Sequence, residues 1–477
     1  MQTQTQLRTG NITPNRNISF PIGTILSVQE YFNKLQLFRI FGAHKRKGRD
    51  INAMISALVS YKLTENLSIC KANIWINRPE VLDVFNLDKF EERTLFRILE
   101  IIGKNNEEII AGIQDCVFEQ YDFEHTDINM DWTSLVLYGD KCILGKHGFS
   151  RDHRPDKKQI TVGITELASP INVPVGLTVR EGNINDVTHF TDTYNQIRER
   201  LRIGSRVIFD KGAHSKENVD IILLDKMKYI TSKKLNLSDD KRIKFFKKSK
   251  AELIDDVDGI YGMKYYKPSR IDYFLFSEKL KKDQLESKKR KALQMYEEAR
   301  IIQDSLDNNR GLPRRYRINN VLVDITYEYQ TKLKKLSEDE ALILVNAAAI
   351  NGREGFFCLV SSEDLTLKQA LETYRKKDSI EKIMNSLKNE IQIKPLRVWS
   401  EDGINGALII GFIAQLIISL MRYDHSELKH TSTKFIRKSM MNLTVTVEFL
   451  KPRRKRYVFS NFDPIIGVIL AQNPSIS

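Results

Sequence analysis

Cysteine is scarce: only Cys70, Cys116, Cys142 and Cys358 occur among 477 residues, and no two form a C-x-x-C pair. That spacing excludes a disulfide framework and a structural zinc site, and it suits a reducing, cytoplasmic setting. The first residues, Met1 to Asn17, are polar and lack an apolar core, so no secretory signal is expected. Internal repeats and low-complexity tracts are also missing, and the 41% hydrophobic and 29% charged residues match a globular chain long enough for two to four domains. Acidic residues are in the minority. Lys and Arg number 75 against 61 Asp and Glu, a net charge of +14. An excess of this size favours a polyanionic partner, nucleic acid being the commonest, although basic proteins also bind membranes or simply stay soluble. Long apolar runs are nearly absent. Ile404 to Met421 is the one stretch near the length of a membrane span, and it contains Asn405, Gln415 and Ser419 and follows Glu401-Asp402. It reads as a helix buried in an α/β domain, with no membrane partner.

The pattern of apolar residues divides the chain. Residues 1–120 show three- and four-residue spacing in VQEYFNKLQLFRIFG, INAMISALVSYKL and EERTLFRILEIIGKNNEEIIAGIQDCVF, which predicts a helical N-terminal domain. A short basic loop that includes Lys45, Arg46 and Lys47 separates the first two helices; it is either a solvated turn or a set of phosphate contacts. In 121–240 the texture changes. NMDWTSLVLYG, QITVGITEL and VPVGLTVREGN read as three strands, followed by a helix, the strand SRVIFD, a helix capped by Ser215, and the strand KYITSKK. That order predicts an α/β, ribonuclease-H-like mixed-sheet core. Residues 241–365 interrupt it with a charged helical run (277–306) and strand-like pieces (316–329 and 354–360), too long for a structureless loop and so read as an inserted α+β subdomain. The core resumes in 366–425, with one helix from about Thr366 toward Asn389 and then the apolar helix. Residues 426–477 form a basic C-terminal tail that contains Lys451 to Arg456.

Three acidic residues carry the chemical signal. Asp131 sits within a strand whose alternate positions are Thr133, Leu135 and Leu137. A carboxylate on such a face is paired or binds metal, unless it belongs to a frayed strand start. Asp210 closes RVIFD before Lys211-Gly212, at the carboxyl end of a strand where α/β folds place their sites; an Asp that opens a turn has the same appearance. In TYRKKDSIEKIMNSLKNEI, Tyr374, Lys377, Glu381 and Lys388 fall on one face of a continuous helix beside the stripe Ile380, Ile383, Met384 and Leu387, as they would in any amphipathic helix. Carboxylates about 4 Å apart repel by roughly 4 kcal/mol per pair at an effective dielectric near 20, so a cluster of three needs a cation. Mg²⁺, which prefers a few carboxylates with water and phosphate oxygens, fits that need, and a pair of ions can clamp both oxygens of an in-line phosphoryl displacement.

These residues resemble the DDE transposases of bacterial and archaeal insertion sequences, in particular the group with the signature Y-x2-R-x3-E-x6-K, which reads here Tyr374, Lys377, Glu381, Lys388. The blocks DWTSLVLYG, GFSRDHRPDKKQITVGI, REGNINDVTHF and VIFDKGAHSKENVDII are similar to that group as well, and the likeness runs from about Glu92 to Leu420. The resemblance implies that Asp131, Asp210 and Glu381 bind two Mg²⁺ ions (Mn²⁺ as a substitute) and that Tyr374, Lys377 and Lys388 touch the DNA backbone. It further implies cleavage at the terminal inverted repeats of the element, transfer of the freed 3′-hydroxyl into target DNA, a homodimer in the synaptic complex, and an N-terminal domain that reads the repeats. Arg151 and Arg154, in the 148–159 block, are either DNA contacts or part of an ordinary hairpin loop.

The signature arginine is replaced by Lys377, which keeps the charge and loses the bidentate fork. Some relatives release their ends through a DNA hairpin, with a Trp from the inserted subdomain stacking on a flipped base. The tryptophans here are Trp75, Trp132 and Trp399, none within 240–365, which leaves Phe356 or Phe357 as the aromatic substitute. Two rival expectations stand beside an active transposase: a transposase-derived protein that binds DNA without cutting, and a metal-dependent nuclease that never joins strands.

Overall fold

The computed structural model describes residues 18–44, 48, 50–65, 68–121, 127–139, 141–290, 350–393, 398–451 and 454–471. Lys45, Arg46 and Lys47, the strand-like piece 316–329, and most of the charged run beyond its helical residues 278–290 lie outside them, as does part of the basic C-terminal cluster.

In chain order the elements begin with β1 (Ile18–Pro21) and seven helices: α1 (Gly23–Lys34), α2 (Phe38–Ala43), α3 (Ile51–Leu63), α4 (Ile69–Ile76), α5 (Pro79–Phe85), α6 (Glu92–Lys104) and α7 (Asn106–Gln120). The α/β core follows as β2 (Ile128–Val136), β3 (Gln159–Leu167), β4 (Val173–Glu181), α8 (Asp186–Asn195), β5 (Arg206–Phe209), α9 (Lys216–Leu224) and β6 (Lys228–Lys233). Next come α10 (Leu237–Phe245), β7 (Glu252–Asp255), β8 (Ile260–Lys267), β9 (Arg270–Ser277), β10 (Phe356–Ser361) and α11 (Leu367–Arg375). The chain ends with α12 (Asp378–Asn385), a π-helical turn (Ser386–Glu390), α13 (Glu401–Asp424), α14 (Thr433–Asn442), β11 (Thr444–Lys451), β12 (Arg454–Ser460) and α15 (Pro464–Ile469). Two compact units result, one from residues 1–229 and 375–477, the other from 230–374.

The first unit contains a sheet in the order β4-β3-β2-β5. Strands β2, β3 and β4 run antiparallel, β5 joins β2 in parallel, and β6 starts beside β5, where the Lys228 N–H donates to the Ser205 carbonyl at 2.9 Å. Three antiparallel strands extended by the parallel β5 through α8, with β6 following through α9, make a ribonuclease-H-like core, and the unbroken burial of β3 and near-complete burial of β2 reflect cover on both faces. Side-chain caps start the helices where the sequence places Asn or Ser: Asn185 accepts from Thr188 N–H, Ser215 from Asn218 N–H, and Ser400 from Gly403 N–H.

Helix α13 is long and apolar enough to cross a membrane, yet 94% of its most apolar window is buried within the fold. Its neighbour α6 approaches so closely that a Cβ on Gly406 would lie 2.0 Å from the Leu99 carbonyl oxygen, and one on Gly103 would lie 1.7 Å from that of Asp402. Helix α6 presents Leu95, Ile98, Leu99 and Ile102 as its buried stripe, the helical spacing legible in the sequence. At the far end of α13, Asp424 Oδ2 accepts hydrogen bonds from Tyr31 Oη (2.8 Å), Lys34 Nζ (2.8 Å) and Tyr121 Oη (3.0 Å), which ties α1 and α7 to it. The helical N-terminal region and the core thus share one packed interior. A small antiparallel sheet, β1-β11-β12, closes the unit.

In the second unit, the residues of β6 from Ile230 onward pair with β10, and the antiparallel order continues through β9 and β8 to β7. Phe356 packs its ring against Phe246, Phe274 and Phe276, with centroids at 5.3, 5.6 and 4.7 Å. Asp272 is buried and met by Arg242, Lys267 and Arg270, which hold its carboxyl below the usual range against the opposing effect of burial.

The glycine contact between α6 and α13 yields a stability test. Gly406→Ala should cost about 1–3 kcal/mol or more, because backbone rather than a flexible side chain must yield. Gly467→Ala in α15, where nothing lies within 4 Å, should be neutral or slightly stabilising. Denaturant midpoints of the two variants check this, and equal values would mean that α6 and α13 are not in backbone contact.

Candidate active site

Asp131 and Asp210 come together because of strand register. The last residue pair of the parallel β2–β5 ladder is Met130 with Phe209, and each acid is the next residue along its strand. Adjacent strands lie about 4.8 Å apart, so Asp131 and Asp210 occupy neighbouring positions along the two strands. Asp131 is the only position of β2 that is not fully buried, and 20% of its side chain is exposed.

Glu381 arrives from α12. The sequence suggested one continuous helix through this region, but the structure ends α11 at Arg375, turns at Lys376-Lys377 and restarts at Asp378. Lys377 therefore occupies a turn rather than a helical face, and its ammonium reaches inward. Nζ donates to Glu381 Oε1 at 3.1 Å and lies 3.8 Å from Asp131 Oδ1, with only 6% of the side chain exposed. Burial pulls the Lys377 pKa down, but Asp131, Glu381 and Asp210 outweigh it, so the amine titrates above its usual value. For Asp131 burial dominates and raises the pKa; Lys377, the Trp132 N–H and Arg151 oppose that rise, and Glu381 adds to it. All three carboxylates thus act on one ammonium.

Three carboxylates against the Lys377 ammonium leave two negative charges, with Arg151 acting on Asp131 as a further cation. Oxygen donors with that residual charge suit a hard divalent cation. As arranged, however, no three Asp, Glu, His or Cys side chains among the described residues enclose an ion site. The charge at the meeting point is that of Lys377, and Glu381, 61% exposed, is the outermost of the three acids.

The other expected DNA contacts are held by partners within the protein. Lys388 lies in the π-helical turn, off the regular helical face of Glu381, and bonds Asp152 Oδ1 at 3.2 Å. Arg151 donates to Asp186 Oδ2 at 2.6 Å, and Arg154 makes a bidentate pair with Asp156 at 2.8 Å for both contacts. In the second unit, Tyr374 Oη donates to Ser232 Oγ at 2.9 Å. Beside Glu381 a groove of about 950 Å³ opens, with Arg375, Lys376, Lys382, Arg422 and Lys429 along its walls. Sequence reasoning passed over Asn129, Glu166 and Ser379, a polar group next to the site in which Asn129 and Glu166 are buried and Ser379 is partly exposed. The signal existed: Glu166 lies in a strand whose nine positions are all buried, the same anomaly that singled out Asp131.

The tether can be tested through stability. Because the folded-state pKa of Lys377 is raised, its contribution is fully present at neutral pH and disappears only in alkali above about 10.5. The carboxylates must also be ionised, so it fades again in acid. Lys377→Gln should lose about 1–3 kcal/mol at pH 7 and much less at pH 4. Unfolding midpoints at the two pH values check this, and an equal deficit at both would show that the lysine acts by packing alone.

Comparison with known proteins adds the family. The family model described as "Transposase DDE domain" matches residues 123–417, more than half of the chain. None of the curated proteins matches. Among solved structures, the chain is similar to a piggyBac transposase synaptic complex with hairpin DNA, with 12% identity, a TM-score of 0.41, and 90% of this chain and 81% of that one covered. With its acids set on a ribonuclease-H-like sheet and most of its length matched by that family model, the chain belongs to the DDE-domain transposase family.

Proposed function

We propose that this transposase cuts DNA at the terminal inverted repeats of an insertion sequence and joins the freed ends to target DNA. The observation that carries the reading is the convergence of Asp131, Asp210 and Glu381 on a single cation, the Lys377 ammonium. Asp131, Asp210 and Glu381 would hold divalent ions, Mg²⁺ or Mn²⁺, which when bound offset the charge that develops on the attacking and leaving oxygens of a phosphodiester. Water first attacks the scissile phosphodiester and releases a 3′-hydroxyl; that hydroxyl then attacks a target phosphodiester and displaces the target strand's 3′-oxygen.

The protein's own residues orient and neutralise the substrate. Lys377 stays charged at neutral pH and adds a positive centre beside the acids. Arg151, Arg154 and Lys388 are held in ion pairs by Asp186, Asp156 and Asp152, and a DNA phosphate would take the place of those carboxylates. Tyr374 would add a backbone contact. Arg375, Lys376, Arg422 and Lys429 offer cations in the groove beside Glu381, whose lining also holds Asp378 and Glu390, and a nucleic-acid strand would run along those cations. The N-terminal helices, including the Lys45-Arg46-Lys47 loop, would read the terminal repeats, and two copies would synapse a pair of ends in the prokaryotic cytoplasm.

Asp131→Asn, Asp210→Asn and Glu381→Gln should each abolish cleavage of labelled element ends in Mg²⁺ while end binding persists in gel-shift assays. Equal loss of binding would assign the acids to folding. Strand-joined products with the parent protein support transposition; cut ends without joining would mean a nuclease, and a shifted but intact probe would mean a binding protein.

A further inference from the structure

Glu166 is buried, and its place beside the acidic site has a structural cause. It lies on β3 directly opposite Asn129 of β2, two residues before Asp131 on the same face. Its Oε2 accepts from Asn129 Nδ2 at 3.0 Å and from Ser379 Oγ at 2.8 Å, and Ser379 stands two residues before Glu381 at the start of α12. Asn129 Nδ2 also lies 3.1 Å from Ser379 Oγ, and Ser379 Oγ is 2.9 Å from the Lys376 carbonyl in the turn that precedes Lys377. One carboxyl group therefore connects the strand that bears Asp131 to the turn and helix that bear Lys377 and Glu381.

The local backbone favours this junction. The β3–β4 register shifts between Thr165 and Glu166, where Pro174 stands opposite and has no N–H to give. Such irregularities re-aim side chains near active sites. A purely packing role is a poor explanation for the residue, because an ionisable group buried without a cation partner is costly and an apolar residue would fill the same space. Burial pushes the Glu166 carboxyl up to about 8, so it is neutral at pH 7. With the acid neutral the Glu166–Ser379 hydrogen bond can reverse, the carboxyl O–H donating to Ser379 Oγ and the Ser379 hydroxyl to the Lys376 carbonyl, while Glu166 Oε1 and Asn129 Oδ1 accept from no group among the described residues.

We propose that Glu166, shared by Asn129 and Ser379, is a positioning residue that holds Glu381 and Lys377 in place relative to Asp131. This rests on the reading of Asp131 and Glu381 as the acids of the transposase site. The role requires a side chain that bonds both neighbours, and the charge is dispensable. Glutamine meets that requirement, since its amide can donate to Ser379 and to Asn129 Oδ1 after a flip of the Asn129 amide; leucine of similar size does not.

The test uses the full-length chain with Glu166→Gln, Glu166→Leu, Ser379→Ala and, as reference, Glu381→Gln. Element-end cleavage in Mg²⁺ is measured together with Tb³⁺ binding, followed by luminescence sensitised from Trp132, the neighbour of Asp131. Glu166→Gln should match the parent. Glu166→Leu and Ser379→Ala should each lose about 10–100-fold in kcat or in Tb³⁺ affinity, with the KM for DNA unchanged. Combining Glu166→Leu with Ser379→Ala should cost little more than either alone, because both break one link. A glutamine variant as defective as the leucine variant would overturn the proposal, as would a fully active Ser379→Ala; the latter decides the matter even if Glu166→Leu does not fold. If Glu381→Gln itself cleaves at the parental rate, the transposase-site reading fails instead, so the two failures remain distinct.

Discussion

Mutual repulsion of like charges governs the organisation of this site. Asp131 and Asp210 are brought to neighbouring positions by parallel strand pairing, and Glu381 is added from a helix more than 150 residues later in the chain. At an effective dielectric near 20, each close pair costs several kcal/mol unless a cation intervenes. Lys377 supplies that cation from a turn only four residues before Glu381, so the later segment carries both a repelled group and the group that neutralises it. The helix is broken at 376–377, and from that turn the Lys377 ammonium reaches both Asp131 and Glu381.

The same segment is held by uncharged means. Asn129, Glu166 and Ser379 form a link whose members sit two residues ahead of Asp131 and two ahead of Glu381. Hydrogen bonds of this kind add little net stability, but a buried polar group left unpaired is costly, so the arrangement is selective for one geometry. Charge pairing and neutral hydrogen bonding therefore fix the same turn from two directions. Around them, α13 provides the rigid floor. It is buried along most of its length, contacts α6 through glycines, and anchors α1 and α7 through Asp424.

Basic residues near the site follow a consistent pattern. Arg151, Arg154 and Lys388 each lie against a carboxylate of their own chain. The Arg154 pair is open to solvent and individually weak, the Arg151 pair is half-buried, and the Lys388 pair is largely buried.

Much of the local structure was determined by the sequence alone. Apolar runs placed β2, β3, β4, β5 and β6 within a few residues of their observed bounds, Ser215 marked the start of α9, and an acid in an apolar strand marked Asp131. These are properties of a few adjacent residues, and periodicity and capping act over that range. The break between α11 and α12, the inward turn of Lys377, the ion pairs of Arg151 and Lys388, and the burial of Glu166 were decided only by tertiary structure. Each depends on which residue of one strand lies opposite which residue of another, or on a contact between segments well separated along the chain. A lysine or a glutamate has the same sequence signature whether it faces water or a buried partner, and only the assembled sheet distinguishes the two.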